Sequence, residues 1–173
     1  MNVVCAMVMS LDGKTTKGNS SNIYTWTSKE DQYYFSKLIK SYRAIVMGKN
    51  TYLAARKIMK LSPGKLRIVL TKNPKKLSKQ AVPNQLEFIN SSPLELLRQL
   101  SKRGYKEVLL VGGATTNRAF FKANLVNEIW VTVEPLLFGK GNGLVENELN
   151  VKLKLLSITK LNKRGTLLLK YKV

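Results

Sequence analysis

Two apolar runs of this sequence end at glycine, in positions that suit the binding of an anion. The run "VLLV" ends at Gly112 and Gly113, and Ala114, Thr115 and Thr116 follow before an apolar pattern of helical period. Glycine lets a ligand approach the backbone, and the first turn of the next helix offers free N–H groups. A diphosphate suits this arrangement, and so does a turn that merely packs tightly.

A second strand end, in "IVMGKNTY", carries similar chemistry. Its glycine is followed by a cation, an amide and a hydroxyl, and the four residues are Gly48, Lys49, Asn50 and Thr51. In open α/β sheets, ligands bind outside the carboxyl ends of the strands. Two such turns on one sheet favour a dinucleotide. In "IVLTKNP", Thr71 and Lys72 are candidates for a further phosphate, although Lys72 taken alone also suits plain solvent exposure.

Several kinds of site are excluded. The chain has no histidine and one cysteine, Cys5, so we expect no metal site and no catalytic triad that uses histidine as its base. The G-x-G-x-x-G fingerprint and the Walker A, protein-kinase and nucleophile-elbow motifs are absent. A nicotinamide cofactor would therefore need a fold other than the Rossmann fold.

The elements that position these turns alternate between strand and helix. Apolar strands are predicted at "NVVCAMVM", "RAIVMG", "LRIVLT", "LEFIN", "EVLLVGG" and "EIWVTVEPLLFG", and an antiparallel hairpin at the end of the chain. Helices are predicted after Thr27 or Ser28, after Gly48, after Ser91 or Ser92, and after Gly113. This order predicts one α/β domain over residues 1–173, with a mostly parallel sheet.

The charge is strongly positive. Thirty Lys and Arg against ten Asp and Glu give a net charge of +20. Such a field attracts phosphorylated small molecules or nucleic acid, while evenly spread lysines also simply solvate a surface. A nucleic-acid-binding protein is the alternative class, but no basic strand rich in aromatic residues supports it.

Nothing in the sequence points to a membrane. No segment has about 20 consecutive apolar residues, and the first apolar run suits a strand better than a signal peptide. The lone Cys5 suits a reducing compartment. We therefore expect a cytoplasmic protein without a membrane partner.

Three motifs, taken in order, resemble the dihydrofolate reductase superfamily. They are "SLDGK", "VMGKNTY" and "LLVGGATTNRAFFKANLVNEIWVTVEPLLFGKGNGL". Within it, the chain is most similar to the reductase domain of riboflavin biosynthesis, the RibD C-terminal domain. This resemblance implies a three-layer fold of about eight strands that binds NADPH. It also implies that the cofactor contacts Gly48, Lys49, Asn50, Thr51, Thr71, Lys72, Gly112, Gly113, Ala114, Thr115 and Thr116.

The resemblance offers a first reading of the substrate site. In dihydrofolate reductases a tryptophan lies five positions before a helix acid, which lies four before a phenylalanine; Trp26, Asp31 and Phe35 match this spacing. Thr132 matches the threonine that steadies the acid. Asp31 would then bind a pterin and promote proton delivery to its C=N bond. Alternatively, Asp31 only favours the N-terminus of its helix.

The riboflavin-type branch offers a second reading, in which Lys14 and Ser28 contact the ribose phosphate of a pyrimidine substrate. Asp31 and Lys14 are thus the candidate catalytic residues, and Trp26, Ser28 and Thr132 complete the candidate substrate site. The sequence departs from this branch at Val111, where an acid is expected, and in "NTYLAARKIMKLSPGK", which replaces an Asp-Pro-rich segment. The same resemblance implies a homodimer and an anionic substrate.

Overall fold

The computed structural model describes residues 1–173 and contains eight strands and four α-helices. The strands are β1 (Asn2–Ser10), β2 (Ala44–Gly48), β3 (Leu66–Leu70), β4 (Leu86–Ile89), β5 (Glu107–Leu110), β6 (Glu128–Glu134), β7 (Lys154–Lys160) and β8 (Leu167–Lys172). The helices are α1 (Lys29–Ser41), α2 (Lys49–Ala55), α3 (Pro93–Lys102) and α4 (Ala114–Lys122), with short 3-10 helices at Ile23–Thr25 and Pro74–Gln80.

All eight strands form one sheet in the order β4-β3-β2-β5-β1-β6-β8-β7. The pairs from β4 to β6 are parallel, whereas β8 pairs antiparallel with both β6 and β7. The predicted mostly parallel α/β sheet with an antiparallel C-terminal hairpin is confirmed. The carboxyl ends of β2 and β5, which carry the two glycine turns, are neighbours in this order.

Helices cover both faces of the sheet, because alternate residues of the buried strands point to opposite sides. Val3 and Cys5 join an apolar cluster that includes Leu96 of α3 and Phe120 of α4. Val4 and Ala6 join a second cluster beneath α1 and α2, represented by Leu38 and Tyr52. The result is three layers: helices, sheet, helices.

Serine side chains fix where two helices begin. The hydroxyl of Ser28 accepts a hydrogen bond from the N–H of Asp31 at 3.2 Å, and Ser92 does the same for Glu95 at 3.3 Å. Of the alternatives left by the sequence, Ser28 and Ser92 are therefore the N-caps of α1 and α3.

One predicted boundary was wrong. The long strand expected over "EIWVTVEPLLFG" ends at Glu134, because Pro135 has no N–H for the sheet. The basic segment between β3 and β4 contains the 3-10 helix that begins at Pro74. No helix combines the length and the apolar character needed to cross a membrane.

Candidate functional site

The two glycine turns contact each other directly. The N–H of Gly48 donates a 2.7 Å hydrogen bond to the carbonyl of Gly112. A Cβ on Gly48 would overlap the hydroxyl of Thr116, and a Cβ on Gly113 would lie 3.2 Å from Oγ1 of Thr51. In each turn, the missing Cβ of the glycine therefore leaves a space beside a threonine of the other turn.

The two adjacent glycines have different reasons to be glycine. Gly112 has a φ of +89°, which L side chains rarely adopt, and a Cβ there would lie 2.9 Å from the sulfur of Met7. Gly113 has an ordinary φ of −74° and precedes α4 as its N-cap. Tight packing thus explains why residue 112 is glycine, whereas the φ of Gly113 does not require glycine.

A cleft of about 1170 Å³ opens at these turns and runs towards α1. It brings together nearly all of the residues expected to contact a cofactor. These are Gly48, Lys49, Asn50, Thr51, Thr71, Lys72, Gly113, Ala114, Thr115 and Thr116. Gly112 is buried and does not line the cleft.

A carboxylate that sequence reasoning missed lies at the start of α4. The hydroxyl of Thr115 donates a 2.7 Å hydrogen bond to Oε2 of Glu146, which also lines the cleft. The segment that carries Glu146 is fastened to the same helix, because Nδ2 of Asn117 donates to the carbonyl of Leu144 at 2.8 Å. The wall of the cleft is thus built partly from the connection between β6 and β7.

The acid of α1 lies at the other end of the cleft. Asp31 is 4% exposed and Thr132 on β6 is 1% exposed, and both line the cleft. Burial is the main cause that raises the pKa of Asp31 from 3.8 to about 6; the Thr132 side chain opposes this change, and the charge of Glu134 adds a smaller increase. Asp31 and Thr132 both line the cleft, so the structure places a titratable carboxyl group against it. The roles expected of this pair in substrate binding and catalysis stay predictions.

Tyr34 lines the cleft one helical turn after Asp31, and sequence reasoning missed it. Its hydroxyl is buried and has no hydrogen-bond partner. Burial, with smaller contributions from Tyr42 and Asp31, raises the pKa of Tyr34 well above its usual value, so it stays protonated. A ligand beside Asp31 would therefore meet a neutral phenol.

Three of the predicted substrate residues do not line the cleft. Trp26 packs edge-to-face on Phe138 at a centroid distance of 5.1 Å. Ser28 caps α1. Lys14 lies in the loop after β1, and it is Thr15 and Thr16, the next two residues, that face the cleft. Contact of Trp26, Ser28 and Lys14 with a substrate stays a prediction.

The loop after β1 is held by Asp12. Its carboxylate accepts hydrogen bonds from the hydroxyl of Ser10 at 2.6 Å and from the backbone N–H groups of Phe138 and Gly139 at 3.1 and 2.7 Å. These bonds, led by that of Ser10, lower the pKa of Asp12 to about 2. Asp12 thus stabilises loop backbone, which is how its place in "SLDG" is best interpreted.

Several solved structures share this fold. A protein of Shewanella sp. PV-4 with a provisional riboflavin-biosynthesis name superimposes with a TM-score of 0.78 and 20% identity, over 99% of this chain and 98% of that one. A pyrimidine reductase-like protein of Corynebacterium diphtheriae gives 0.75 and 17%, over 99% and 91%. At these identities the likeness shows a shared fold, which is the predicted dihydrofolate reductase-like fold.

A third solved structure is longer than this chain. The diaminohydroxyphosphoribosylaminopyrimidine deaminase/5-amino-6-(5-phosphoribosylamino)uracil reductase of Thermotoga maritima gives a TM-score of 0.76 and 17% identity, over 99% of this chain and 56% of that one. This chain therefore spans little more than half of that protein.

Sequence comparison finds a relative and a family. The uncharacterized protein YyaP of Bacillus subtilis is 29% identical over 101 residues, which is 57% of this chain and 51% of that protein, so the match spans about half of it. The sequence profile of the RibD C-terminal domain matches residues 1–167, which confirms the resemblance stated from the motifs. The chain belongs to the RibD C-terminal domain family.

Proposed function

We propose that this protein is an NADPH-dependent reductase that acts on a small pyrimidine- or pterin-type substrate. The activity it most resembles is that of 5-amino-6-(5-phosphoribosylamino)uracil reductase. The observation that carries the proposal is the contact between the two glycine turns at the cleft. Their glycines carry no side chain that would cover the backbone, and the side chains of Lys49, Thr51, Thr115 and Thr116 line the cleft beside them.

The residues of the two turns suit a phosphorylated nucleotide. Thr115 and Thr116 lie in the first turn of the nine-residue α4, where backbone N–H groups point outward and the helix dipole is positive. Lys49, Asn50 and Thr51 supply side-chain donors from the neighbouring turn. Thr71 and Lys72 lie at the end of β3, next to β2, and are the candidates for the 2′-phosphate.

When bound there, NADPH supplies the hydride for the carbon of a C=N bond. The nitrogen of that bond must gain a proton, and Asp31 is the acid nearest to the cleft that can hold one near neutral pH. The O–H bond of Asp31 breaks as the N–H bond of the product forms, and solvent then returns a proton to Asp31. Thr132 keeps the carboxyl group in place.

Two observations support different candidate substrates. Membership of the RibD C-terminal domain family supports a ribosylaminopyrimidine. The Asp31–Thr132 pair supports the alternative, dihydrofolate or dihydropterin reductase activity. The net charge of +20 favours an anionic or phosphorylated substrate in either case, and it is also the sole support for a nucleic-acid-binding protein.

Ligand-dependent stability tests the proposal. A ligand that binds only the folded protein stabilises it by about 2.7 kcal/mol at 100 times its Kd. We expect NADPH to raise the melting temperature more than NADH does. If neither nucleotide changes it while heparin retains the protein at high salt, the nucleic-acid-binding alternative replaces the reductase. Turnover of a ribosylaminopyrimidine and of a dihydropterin, each measured for the parent protein and for D31N, then separates the two reductase activities.

The proposal includes a homodimer, and β7 is the surface that supports it. β7 is an edge strand in which all seven residues are exposed, among them Leu155 (47%), Leu156 (49%) and Ile158 (59%). A bulge at Leu156 lets Leu155 and Ile158 lie opposite Tyr171 and Leu169 of β8. An exposed apolar edge strand pairs readily with another strand, and a second copy supplies an identical one about a two-fold axis.

The mass of the protein in solution tests the dimer. We expect I158K to convert it to a monomer, because the ammonium group would be placed within the apolar contact. L137K is the matched control, since Leu137 is 74% exposed and lies outside β7. Salt should strengthen the dimer by screening Lys154 and Lys160. A monomeric parent protein at high concentration, by light scattering, would contradict the proposal.

A further inference from the structure

Two side chains of β6 point at the N-terminus of α1. Residues two apart on a strand share a face, so Thr132 and Glu134 lie on the same side of the sheet. Thr132 lines the cleft together with Asp31 and lowers the pKa of that carboxyl group, and Oε1 of Glu134 accepts a 2.7 Å hydrogen bond from the N–H of Ser28. Since Ser28 is the N-cap and Asp31 lies three residues later, both contacts fall within the first turn of α1.

The carboxylate of Glu134 is buried and is held in place by hydrogen bonds. It is 3% exposed, and its second oxygen, Oε2, accepts a 2.7 Å hydrogen bond from the hydroxyl of Thr166, which is itself 1% exposed. Asn162 in turn fixes Thr166, because its Oδ1 accepts from the Thr166 N–H at 3.2 Å and its Nδ2 donates to the Thr166 hydroxyl at 2.9 Å. The carboxylate is thus fixed from two sides.

All of the donors to Glu134 are neutral. The one salt bridge of the structure joins Arg103 to Glu87 and does not involve Glu134. The charged groups near the start of α1 are Lys29, Glu30 and, from the β7–β8 turn, Arg164; both cations lower the pKa of Glu30. The side chains that shift the pKa of Asp31 are Thr132 and Glu134 of β6, and Asp31 in turn raises the pKa of Tyr34 of α1. No cation neutralises Glu134.

We infer that Glu134 is a positioning residue that keeps the proton on Asp31. It fixes the first turn of α1 through Ser28, and its uncompensated negative charge opposes the ionisation of Asp31. Two buried carboxyl groups that face one helix turn resist being ionised together. This role rests on the proposed function, in which Asp31 donates a proton, and it assigns to Glu134 the task of keeping that proton available near neutral pH.

The variant E134Q tests this inference. Glutamine has nearly the same shape, its carbonyl oxygen can still accept from Ser28 N–H, and its amide can donate to the Thr166 hydroxyl. The readout is the pKa of Asp31, followed by the 13C signal of its carboxyl carbon and identified by its loss in D31N. We expect the pKa to fall by about one unit, so that at pH 7.5 the protonated fraction, and the turnover it supports, fall about tenfold.

T166V is the matched control. It removes one hydrogen bond from Glu134 and leaves the negative charge, so the pKa of Asp31 should stay near that of the parent protein. An unchanged pKa in E134Q would overturn the inference, whatever the activity. A lowered pKa in a protein that reduces no substrate would support the electrostatic role of Glu134 and contradict the proposed function instead.

A measurement on the parent protein covers the case in which E134Q does not fold. The carboxyl carbon signal of Glu134 should move at the pH where Asp31 ionises, because a carboxyl group senses the charge that appears on its neighbour. A Glu134 signal that is flat through that pH range would overturn the inference without any variant.

Discussion

The hydroxyl of Thr115 donates a hydrogen bond to Oε2 of Glu146 at 2.7 Å, in the first turn of α4. This is the turn where backbone N–H groups and the helix dipole favour an anion. Glu146 is a carboxylate supplied by the chain itself, and it holds a hydroxyl that the proposed function gives to the cofactor. A phosphate arriving at this turn has to compete with it.

Removing that charge should strengthen cofactor binding. We predict that E146Q lowers the Kd for NADPH by about threefold to tenfold, because a carboxylate no longer repels the phosphate or competes for the Thr115 hydroxyl. E148Q is the control, because Glu148 is exposed, lies two residues away and does not line the cleft. Isothermal titration calorimetry at low salt measures both. Equal affinities for E146Q and the parent protein would contradict the prediction.

The space at Gly113 gives a second prediction. A Cβ there would lie 3.2 Å from Oγ1 of Thr51, and the φ of Gly113, −74°, is one that any residue adopts. We predict that G113A folds with a melting temperature close to that of the parent protein but binds NADPH about tenfold more weakly, because the methyl group narrows the approach to the backbone.

G143A is the control for that variant. Its Cβ would also lie 3.2 Å from a neighbour, the carbonyl of Val145, and Gly143 does not line the cleft. It should leave the Kd for NADPH unchanged. If G113A and G143A bind NADPH alike, the interpretation of the glycine turn as a binding surface is wrong.

The sequence predicted the glycine turns because their signal is local. Gly48 and Gly113 each follow an apolar run and precede a helix, and parallel strands bring their carboxyl ends to one edge. The caps at Ser28 and Ser92 are local in the same sense, since each cap bonds a backbone N–H three residues later. Short-range chemistry of this kind can be interpreted without knowing the fold.

The residues that were missed depend on contacts between distant parts of the chain. Glu134 meets Ser28 across 106 positions and Thr166 across 32, and Glu146 meets Thr115 across 31. A weak signal existed at Glu134, a carboxylate at the end of a buried strand. That signal does not identify the partners of Glu134, so its hydrogen bonds to Ser28 and Thr166 could be found only from the structure.

Cys5 provides a prediction about the central strand. β1 lies between β5 and β6, Cys5 is 0% exposed, and burial raises the pKa of its thiol to about 12. The thiol reacts as the thiolate, so modification requires opening of the sheet. We predict that a thiol reagent labels the native protein at least about 10³-fold more slowly than the urea-unfolded protein. Because the chain has one cysteine, the signal needs no assignment; labelling within minutes in native buffer would contradict the packing of β1.

The buried Asp31 should make stability depend on pH in a direction unusual for an acid. Its pKa is raised from 3.8 to about 6 on folding, so the folded protein holds this proton more tightly than the unfolded chain does. The stability that this proton contributes is fully present below about pH 4 and is lost as the pH rises through 6.

The variant D31N tests this dependence, because it keeps a hydrogen-bond acceptor for Thr132 and does not ionise. We predict that, between pH 3.5 and pH 8, the free energy of unfolding of D31N rises by about 2–3 kcal/mol relative to that of the parent protein. Urea unfolding of both proteins across this range measures the difference, in which the contributions of all other acids cancel. If the two stability curves run parallel from pH 3.5 to pH 8, then Asp31 ionises as an ordinary surface carboxyl group and holds no proton near neutral pH.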